Sequence, residues 1–348
     1  MSDRHLLAMA VIRRYWFLII FALPFFVALE DSSIWDSNEA FYAQTPREML
    51  SRGDWVTPYF NDQPRLDKPP LTYWIVASFY RIFSPAILWE RVPMALIAYG
   101  AVLAVFSLGK MLFNMEVALL AAGIFATSFR ILILSRRLII DVVLLFCILW
   151  AIVCVVSWVR SNKNSYLHLC GFLFGLGFLT KGPVVFLVAP CLIFYIFAVG
   201  GFQRLARAPW LTAGMICLLT SSSWFILLAM GSGWQPVLDF FFKENLARFW
   251  TASFGPTRGL FYYVGVFLGD FFPWSIFFPA AAVWACLRLR KQGIGVDAGA
   301  LILLGVWITS FFLIFSLSSN KQEYYILPVY PAAALCIAAY AQKTRISR

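Results

Sequence analysis

The sequence predicts an all-α, polytopic membrane protein with about ten transmembrane helices, and three observations carry that prediction. Of 348 residues, 61% are hydrophobic and only 13% charged, far from the balance of a soluble domain. Apolar stretches long enough to cross a bilayer recur along the chain, at 15–29, 87–113, 115–134, 138–159, 165–179, 183–200, 209–229, 260–287, 298–317 and 324–341. The charges between those stretches alternate in character, as they do when successive loops face opposite sides of a membrane.

The spans follow in order. Residues 15–29 come after Arg13 and Arg14 and lack a small-residue cleavage site, which suits an uncleaved span better than a signal peptide. The stretches 165–179 and 183–200 are separated only by Thr180-Lys181-Gly182-Pro183, and a Gly-Pro turn with the lysine at its tip predicts two spans. With the N-terminus inside, the inner loops hold 14 bases against Asp3, Glu116 and Asp297, a difference equal to the whole formal net charge of +11. The outer side is then neutral, with 14 bases and 14 acids. The opposite orientation would put the Arg-rich loops outside, against the insertion bias. The basic balance therefore reflects topology and implies no nucleic-acid partner.

All seven cysteines fall within predicted spans, so no structural disulfide is expected. Neither His5 nor His168 lies near the outer surface, which removes the commonest zinc ligand and general base from that side. There is no Gly-rich phosphate loop and no clear inverted repeat. Residues 1–348 read as one membrane module without a soluble C-terminal domain, and residues 30–83 form a long first outer loop with juxtamembrane helices.

Within that loop, Asn38 to Leu50 has amphipathic helical spacing and Gly53-Asp54-Trp55 supplies its stop. A second amphipathic segment, Leu71 to Phe83, follows Pro69-Pro70 and is rich in Tyr and Trp, which favour the headgroup zone. Asp36, Glu39, Asp67 and Lys68 sit between these apolar pieces, where an unpaired charge is costly. Further charges are brought to the same surface by topology. Asp141 opens a span, either as a functional carboxylate or as an N-terminal helix charge paired to Arg136 or Arg137. Lys181 tips its turn, as a site cation or as a snorkelling anchor. Glu244 and Arg248 have the i, i+4 spacing of a pair that serves a surface ion pair or substrate binding equally well, and Lys321 stands among polar donors and tyrosines. Lone cations among aromatics suit a lipid-linked phosphate, and neighbouring carboxylates suit general-base work in glycosyl transfer.

Taken in order, these tags carry a resemblance. They are Asn38-Glu39-Ala40-Phe41-Tyr42 through Arg47-Glu48-Met49, Gly53-Asp54-Trp55, Asp67-Lys68-Pro69, Asp141 at a helix start, Thr180-Lys181-Gly182, Glu244 through Arg248-Phe249, and Lys321 through Pro328. The chain resembles the polyprenyl-phosphate-sugar-dependent glycosyltransferases, the C-type family that includes lipid A aminoarabinose transferases and protein O-mannosyltransferases. The resemblance implies a polyprenyl (undecaprenyl) phosphate sugar as donor, used at the periplasmic face of a bacterial inner membrane with inversion at the anomeric carbon. The acceptor would be a lipid, glycan or protein. It implies that Asn38, Tyr42, Asp67, Lys68, Lys181, Asn245, Arg248, Lys321 and Tyr325 bind substrate.

Where the family has a catalytic Asp, this chain has Asn38, whose amide cannot act as a base. The base role therefore passes to Glu39 or Asp36, with Asp141 as the third catalytic candidate, unless an ionised phosphate acceptor needs none. Some relatives place a His where Asn245 stands, so a divalent metal finds no His ligand here and no cofactor is implied. Relatives continue into further spans and a soluble domain, which leaves room for a separate subunit. A transporter would carry ionisable groups near the bilayer midplane, which this pattern lacks. A non-catalytic subunit that binds or flips a lipid-linked sugar is the alternative, and Asn38 favours it.

Overall fold

The computed structural model describes residues 16, 19–31, 33–34, 37–247, 258–292 and 296–346. The fold is helical almost throughout. Helix α1 spans residues 19–26, α2 Ser37–Arg52, α3 Leu71–Phe83, α4 Ile87–Leu112, α5 Met115–Ala126, α6 Phe129–Leu134 and α7 Ile140–Ser161. Then come α8 (Ser165–Lys181), a 3-10 turn (Gly182–Val188), α9 (Ala189–Arg207), α10 (Trp210–Ser232), α11 (Gln235–Asp239) and a π-helix, Phe240–Ala247. The last part holds α12 (Tyr262–Asp270), α13 (Phe278–Gln292), α14 (Val296–Leu317) and α15 (Val329–Ile346). The described strands are β1 (Tyr59–Phe60) and β2 (Gln63–Pro64), paired antiparallel within the first loop.

Helix α7 is the axis of the bundle. It is apolar all round and buried along nearly its whole length, as a helix enclosed by other helices must be. Helix α4 packs on one side of it and α8 on another, and α10 packs against α8. The α8–α10 approach is set by Gly171 and Gly175, four residues apart on one face. A Cβ on Gly171 would lie 2.2 Å from the Ala213 carbonyl oxygen, and one on Gly175 would lie 2.5 Å from Thr220 Cβ. Small residues at this spacing let membrane helices touch backbone to backbone.

Five helices are long and apolar enough to cross a membrane: Ile87–Leu112, Ile140–Ser161, the run Ser165–Arg207, Trp210–Ser232 and Ala298–Leu317. A pair bent by 116°, Tyr262–Asp270 with Trp274–Lys291, makes a sixth if counted as one span. This is a multi-pass membrane protein, but the expected count of ten is not reached by that criterion. Residues 115–134 divide into α5 and the short α6, and α15 closes on Lys343 and Arg345. The 43-residue run from Ser165 to Arg207 would extend about 65 Å if straight. It reverses instead: Gly182 breaks it at φ +70, and Arg204 near its end donates to Asn162 Oδ1 at 2.8 Å, just before its beginning. The turn at Lys181 therefore separates two antiparallel helices.

The first loop takes the form read from its sequence. Helix α2 stops at Gly53, whose N–H reaches Leu50 O at 3.2 Å with φ +68, and α3 begins directly after Pro70. The β1–β2 turn puts Asn61 and Asp62 both at positive φ, the geometry of a two-residue hairpin. Its two N–H groups donate to Glu48 Oε1 (2.9 Å) and Oε2 (3.1 Å), and Gln44 Nε2 donates to Oε1 at 3.0 Å. Partial burial raises the Glu48 carboxyl pKa, but the Gln44 side chain, these two N–H groups and the Arg52 charge together hold it below the usual carboxylate value. Trp74 Nε1 and Trp224 Nε1 bind the Trp55 and Val56 carbonyls, both at 2.7 Å, and fasten the following segment to α3 and α10.

The deepest fastening is ionic. Arg91, 1% exposed in the first turns of α4, donates from Nε to Glu39 Oε1 at 3.0 Å. Its Nη1 reaches Leu29 O at 2.8 Å and its Nη2 reaches Ser33 O at 3.1 Å. Glu39 Oε1 also accepts from Leu138 N at 3.2 Å, just ahead of α7. Beside it, Arg47 binds Glu90 at 2.6 Å, and the Tyr80 hydroxyl donates to the same carboxylate.

Arg91→Leu removes one partner of a buried pair and strands the other, so a loss of roughly 3–5 kcal/mol is expected, read as unfolding in detergent. A loss under about 1 kcal/mol would deny the pair its anchoring role. The Glu48 carboxyl, lower in the folded state than in the unfolded one, stabilises the hairpin above its unfolded pKa. That contribution disappears as pH falls through the folded pKa. Exchange protection of the Asn61 and Asp62 amides, corrected for intrinsic rates, should therefore fall on acidification. In Glu48→Gln the same protection should be low and independent of pH.

Candidate active site

At the end of the bundle where α7 begins and α8 stops, a cavity of about 120 Å³ opens between the first loop and the helices. Asp141 in the first turn of α7 and Lys181 in the last turn of α8 meet across it, Nζ to Oδ1 at 2.6 Å. Each is placed where its charge complements its helix dipole, a carboxylate at an N-terminus and an ammonium at a C-terminus. Lys181 Nζ also sits 4.5 Å from the ring centre of Tyr325 and 5.1 Å from that of Tyr324. The Tyr325 ring packs on Phe315, centroids 5.2 Å apart.

Lys68 lines the same cavity, with Nζ donating to Asp67 O at 2.9 Å and lying 4.0 Å from Asp67 Oδ2. Asn245 and Glu244 enter from the π-helix, where Asn245 Nδ2 donates to Phe240 O at 2.7 Å. Ser318 and Asn320 complete the polar part of the wall, and Leu144, Val184, Phe315 and Pro328 form its apolar part. The ionisable lining is thus two lysines and two carboxylates in a half-enclosed space. Such a setting strengthens charge-assisted hydrogen bonds to an entering anion.

Other expected residues stand beside the cavity. Asp67 is held by Arg65 at 3.1 Å, and its Oδ1 is buried without a hydrogen-bond partner among the described residues. It faces a neighbouring cavity of about 450 Å³ that Asp239, Lys243 and Glu244 also line. Tyr42 is buried against Tyr73, centroids 5.8 Å apart. Burial pushes its hydroxyl pKa well up, and Tyr73, Asp67 and Asp141 push it further. Lys321 is 7% exposed and donates to Ser318 O at 2.6 Å, while its own carbonyl accepts from Arg258 Nη1 at 3.0 Å. It braces the turn that lines the cavity without lining it.

Glu39 is likewise not in the lining. Its carboxylate is committed to Arg91 and Leu138 N, so it acts on the site by fixing the entry to α7 and hence Asp141. Asn38 is exposed at the start of α2. Asp36 and Arg248 lie outside the described residues. Asp141 takes Lys181 as its partner rather than an adjacent arginine.

Sequence reasoning left Glu244, with Arg248, between a surface ion pair and substrate binding. The π-helix, with its wider i to i+5 turn, carries it into the wall of both cavities. Asn320 was visible only as one of several polar residues in a turn. A second charged node stands nearby: Arg130 binds both Asp270 oxygens at 2.7 Å and Glu323 at 2.9 Å, holding the short helix that carries Tyr324 and Tyr325. Among the described residues, no group of three or more His, Cys, Asp or Glu could hold a metal ion.

Residues 67–226 match the family model described as dolichyl-phosphate-mannose-protein mannosyltransferase. An undecaprenyl phosphate-alpha-4-amino-4-deoxy-L-arabinose arabinosyl transferase of Proteus mirabilis is 27% identical, over 97% of this chain and 61% of its own length. Among solved structures, ArnT from Cupriavidus metallidurans bound to undecaprenyl phosphate has a TM-score of 0.83 at 22% identity. That match covers 94% of this chain and 60% of ArnT. The archaeal oligosaccharyltransferase AglB from Archaeoglobus fulgidus has a TM-score of 0.63 at 14% identity, covering 96% of this chain and 51% of AglB. The fold is therefore that of the multi-span C-type glycosyltransferase membrane module. In sequence as well as in fold, the chain is a relative of the polyprenyl-phosphate-sugar-dependent glycosyltransferases. It spans about three-fifths of the length of the curated relatives it matches.

The contact between Lys181 and Tyr325 separates ring from hydroxyl. Tyr325→Phe keeps the ring under the ammonium, whereas Tyr325→Ala removes it, at a cost of about 0.5–2 kcal/mol for a cation–π contact. Binding of polyprenyl phosphate to the purified protein should weaken by roughly two- to thirtyfold in the Ala variant. It should weaken less in the Phe variant, and equal losses in the two would assign the effect to the hydroxyl.

Proposed function

We propose that this protein is a membrane glycosyltransferase that moves a sugar from a polyprenyl-phosphate donor to a lipid, glycan or protein acceptor, with inversion at the anomeric carbon. The observation that carries the reading is the convergence of Lys68, Lys181, Asp141 and Tyr325 on one cavity. The named activities of the relatives and the undecaprenyl phosphate held by ArnT support the donor class. In this reading the cavity faces the periplasm of a bacterial inner membrane, because the basic loops gather at the opposite end of the bundle.

The chemistry follows from the lining. An acceptor oxygen attacks the anomeric carbon while the bond from that carbon to the phosphate oxygen breaks and its electron pair leaves with the phosphate. A phosphate is already a good leaving group, so it needs charge stabilisation more than protonation, and Lys68 and Lys181 supply it. A hydroxyl acceptor must also lose a proton. Asp141 and Glu244 are the carboxylates that line the cavity, and Asp141 is the base in this reading, released from Lys181 when the donor phosphate takes over that ammonium. Glu39, bound to Arg91, keeps a positioning role. An ionised phosphate acceptor would need no base at all. A donor-binding or flipping subunit without transfer is the second reading, favoured by the amide of Asn38 at the exposed start of α2.

Membranes carrying the protein, given polyprenyl-phosphate sugar labelled in the sugar, should transfer label to an envelope acceptor. Lys68→Ala and Lys181→Ala should each lower transfer roughly 10²–10³-fold through lost stabilisation of the leaving phosphate. Asp141→Asn should lower it roughly 10²–10⁴-fold with donor binding retained. Donor binding without transfer in the unaltered protein would establish the subunit reading instead.

A further inference from the structure

The largest cavity among those described lies at the other end of the bundle. It measures about 830 Å³ and is set among the ends of α4, α7, α9, α13, α14 and α15. Asp141 and Arg160, at the two ends of α7, are 19 residues apart, so this cavity lies about 28 Å along the bundle from the active site. Four cations from four helices line it: Arg160, Arg204, Arg288 and Lys343. No Asp or Glu is among the described residues lining it. A carboxylate beside it, Glu116, is not in the lining but is held by Arg345 at 2.7 Å and by the lining residue Gln342 at 3.3 Å.

Arg160 and Lys343 are exposed at the rim and Arg204 and Arg288 are half-buried, so the basic residues of this end converge on one hollow. Two of them are held in place by neutral acceptors, which leave their charge uncompensated. Arg160 donates to the Met111 carbonyl, and Arg204 donates to Asn162 Oδ1 at 2.8 Å with its guanidinium 5.9 Å from the Trp158 ring. Like charges brought together repel, and an anion between them relieves that repulsion. The rest of the wall is mixed: Val159, Val199, Leu301 and Ala339 give it an apolar part, and Asn114 and Gln342 a polar one. A small hydrated anion makes no use of the apolar part, whereas the glycerol and first acyl carbons of a lipid do.

We propose that this cavity binds the phosphate headgroup of an anionic glycerophospholipid, as a site separate from the active-site cavity. The phosphate lies among Arg160, Arg204, Arg288 and Lys343, and the acyl chains leave along the apolar wall. Basic pockets between membrane helices recognise lipid headgroups through this combination of charge and apolar surface. The bound lipid ties the ends of six helices together at the end of the bundle remote from the chemistry.

The test is lipid retention. Purified protein is exchanged into nanodiscs of phosphatidylglycerol or phosphatidylcholine, released, and its retained phospholipid counted by native mass spectrometry. The expectation is selective retention of phosphatidylglycerol, reduced roughly tenfold or more in Arg204→Gln/Lys343→Gln. An unchanged melting temperature shows that the variant is folded, and Lys343→Gln alone serves if the double variant is not. Equal retention of the two lipids, or equal retention by variant and parent, overturns the proposal. Dialysis of the protein in phosphatidylcholine nanodiscs against labelled inorganic phosphate is the second arm. Saturable phosphate binding that the variant loses would assign the cavity to a soluble phosphate and overturn the lipid.

Discussion

One guanidinium sets the frame on which the candidate site is built. Arg91 enters a membrane bundle nearly free of solvent, where a charge is tolerated only if its acceptors are already in place. Those acceptors come from three separate points of the chain ahead of it: Leu29 O, Ser33 O and the Glu39 carboxylate. Glu39 in turn holds Leu138 N at the entrance to α7. A single buried ion pair thus fixes the first loop against two central helices, and the position of Asp141 follows. Hydrophobic packing alone would not select this register, because apolar faces of membrane helices slide past one another at little cost.

The two ends of the bundle use charge in opposite ways. At the candidate-site end, three carboxylates near the cavity have cationic neighbours: Asp141 with Lys181, Asp67 with Arg65 and Lys68, Asp270 with Arg130. The described lining of that cavity balances two lysines against two carboxylates. At the far end, cations surround a hollow whose described lining holds no acid. The first arrangement suits a ligand that must arrive and leave; the second suits one that stays.

Much of this was legible in the residues, for identifiable reasons. The first-loop helices were visible because Gly53 and Pro69-Pro70 are strong punctuation and the apolar spacing between them is helical. Asp141, Lys68 and Lys181 stood out because an isolated charge beside an apolar helix has few structural uses. What remained hidden was partner choice. Asp141 has two arginines close by in sequence, yet pairs with a lysine 40 residues on, because helix ends meet in space rather than along the chain. A carboxylate among apolar helices suits a catalytic role and a structural one alike, and the structure adds that Glu39 binds Arg91 and Leu138 N away from the cavity lining. Lys321 and Tyr325 were read together, but only the tyrosine lines the cavity, because the Ser318 carbonyl turns the lysine back into its own loop. Length and composition alone count five long apolar helices among the described residues, because that criterion passes over short helices and takes Ser165–Arg207 as one.

The π-helix has a consequence of its own. By widening one turn it sets Glu244 between the small cavity that holds the lysines and the larger one beside Asp67. Glu244 is a lining residue common to both. A change in shape or charge at that position is felt in both compartments at once, so whatever occupies one of them helps decide what the other can accept.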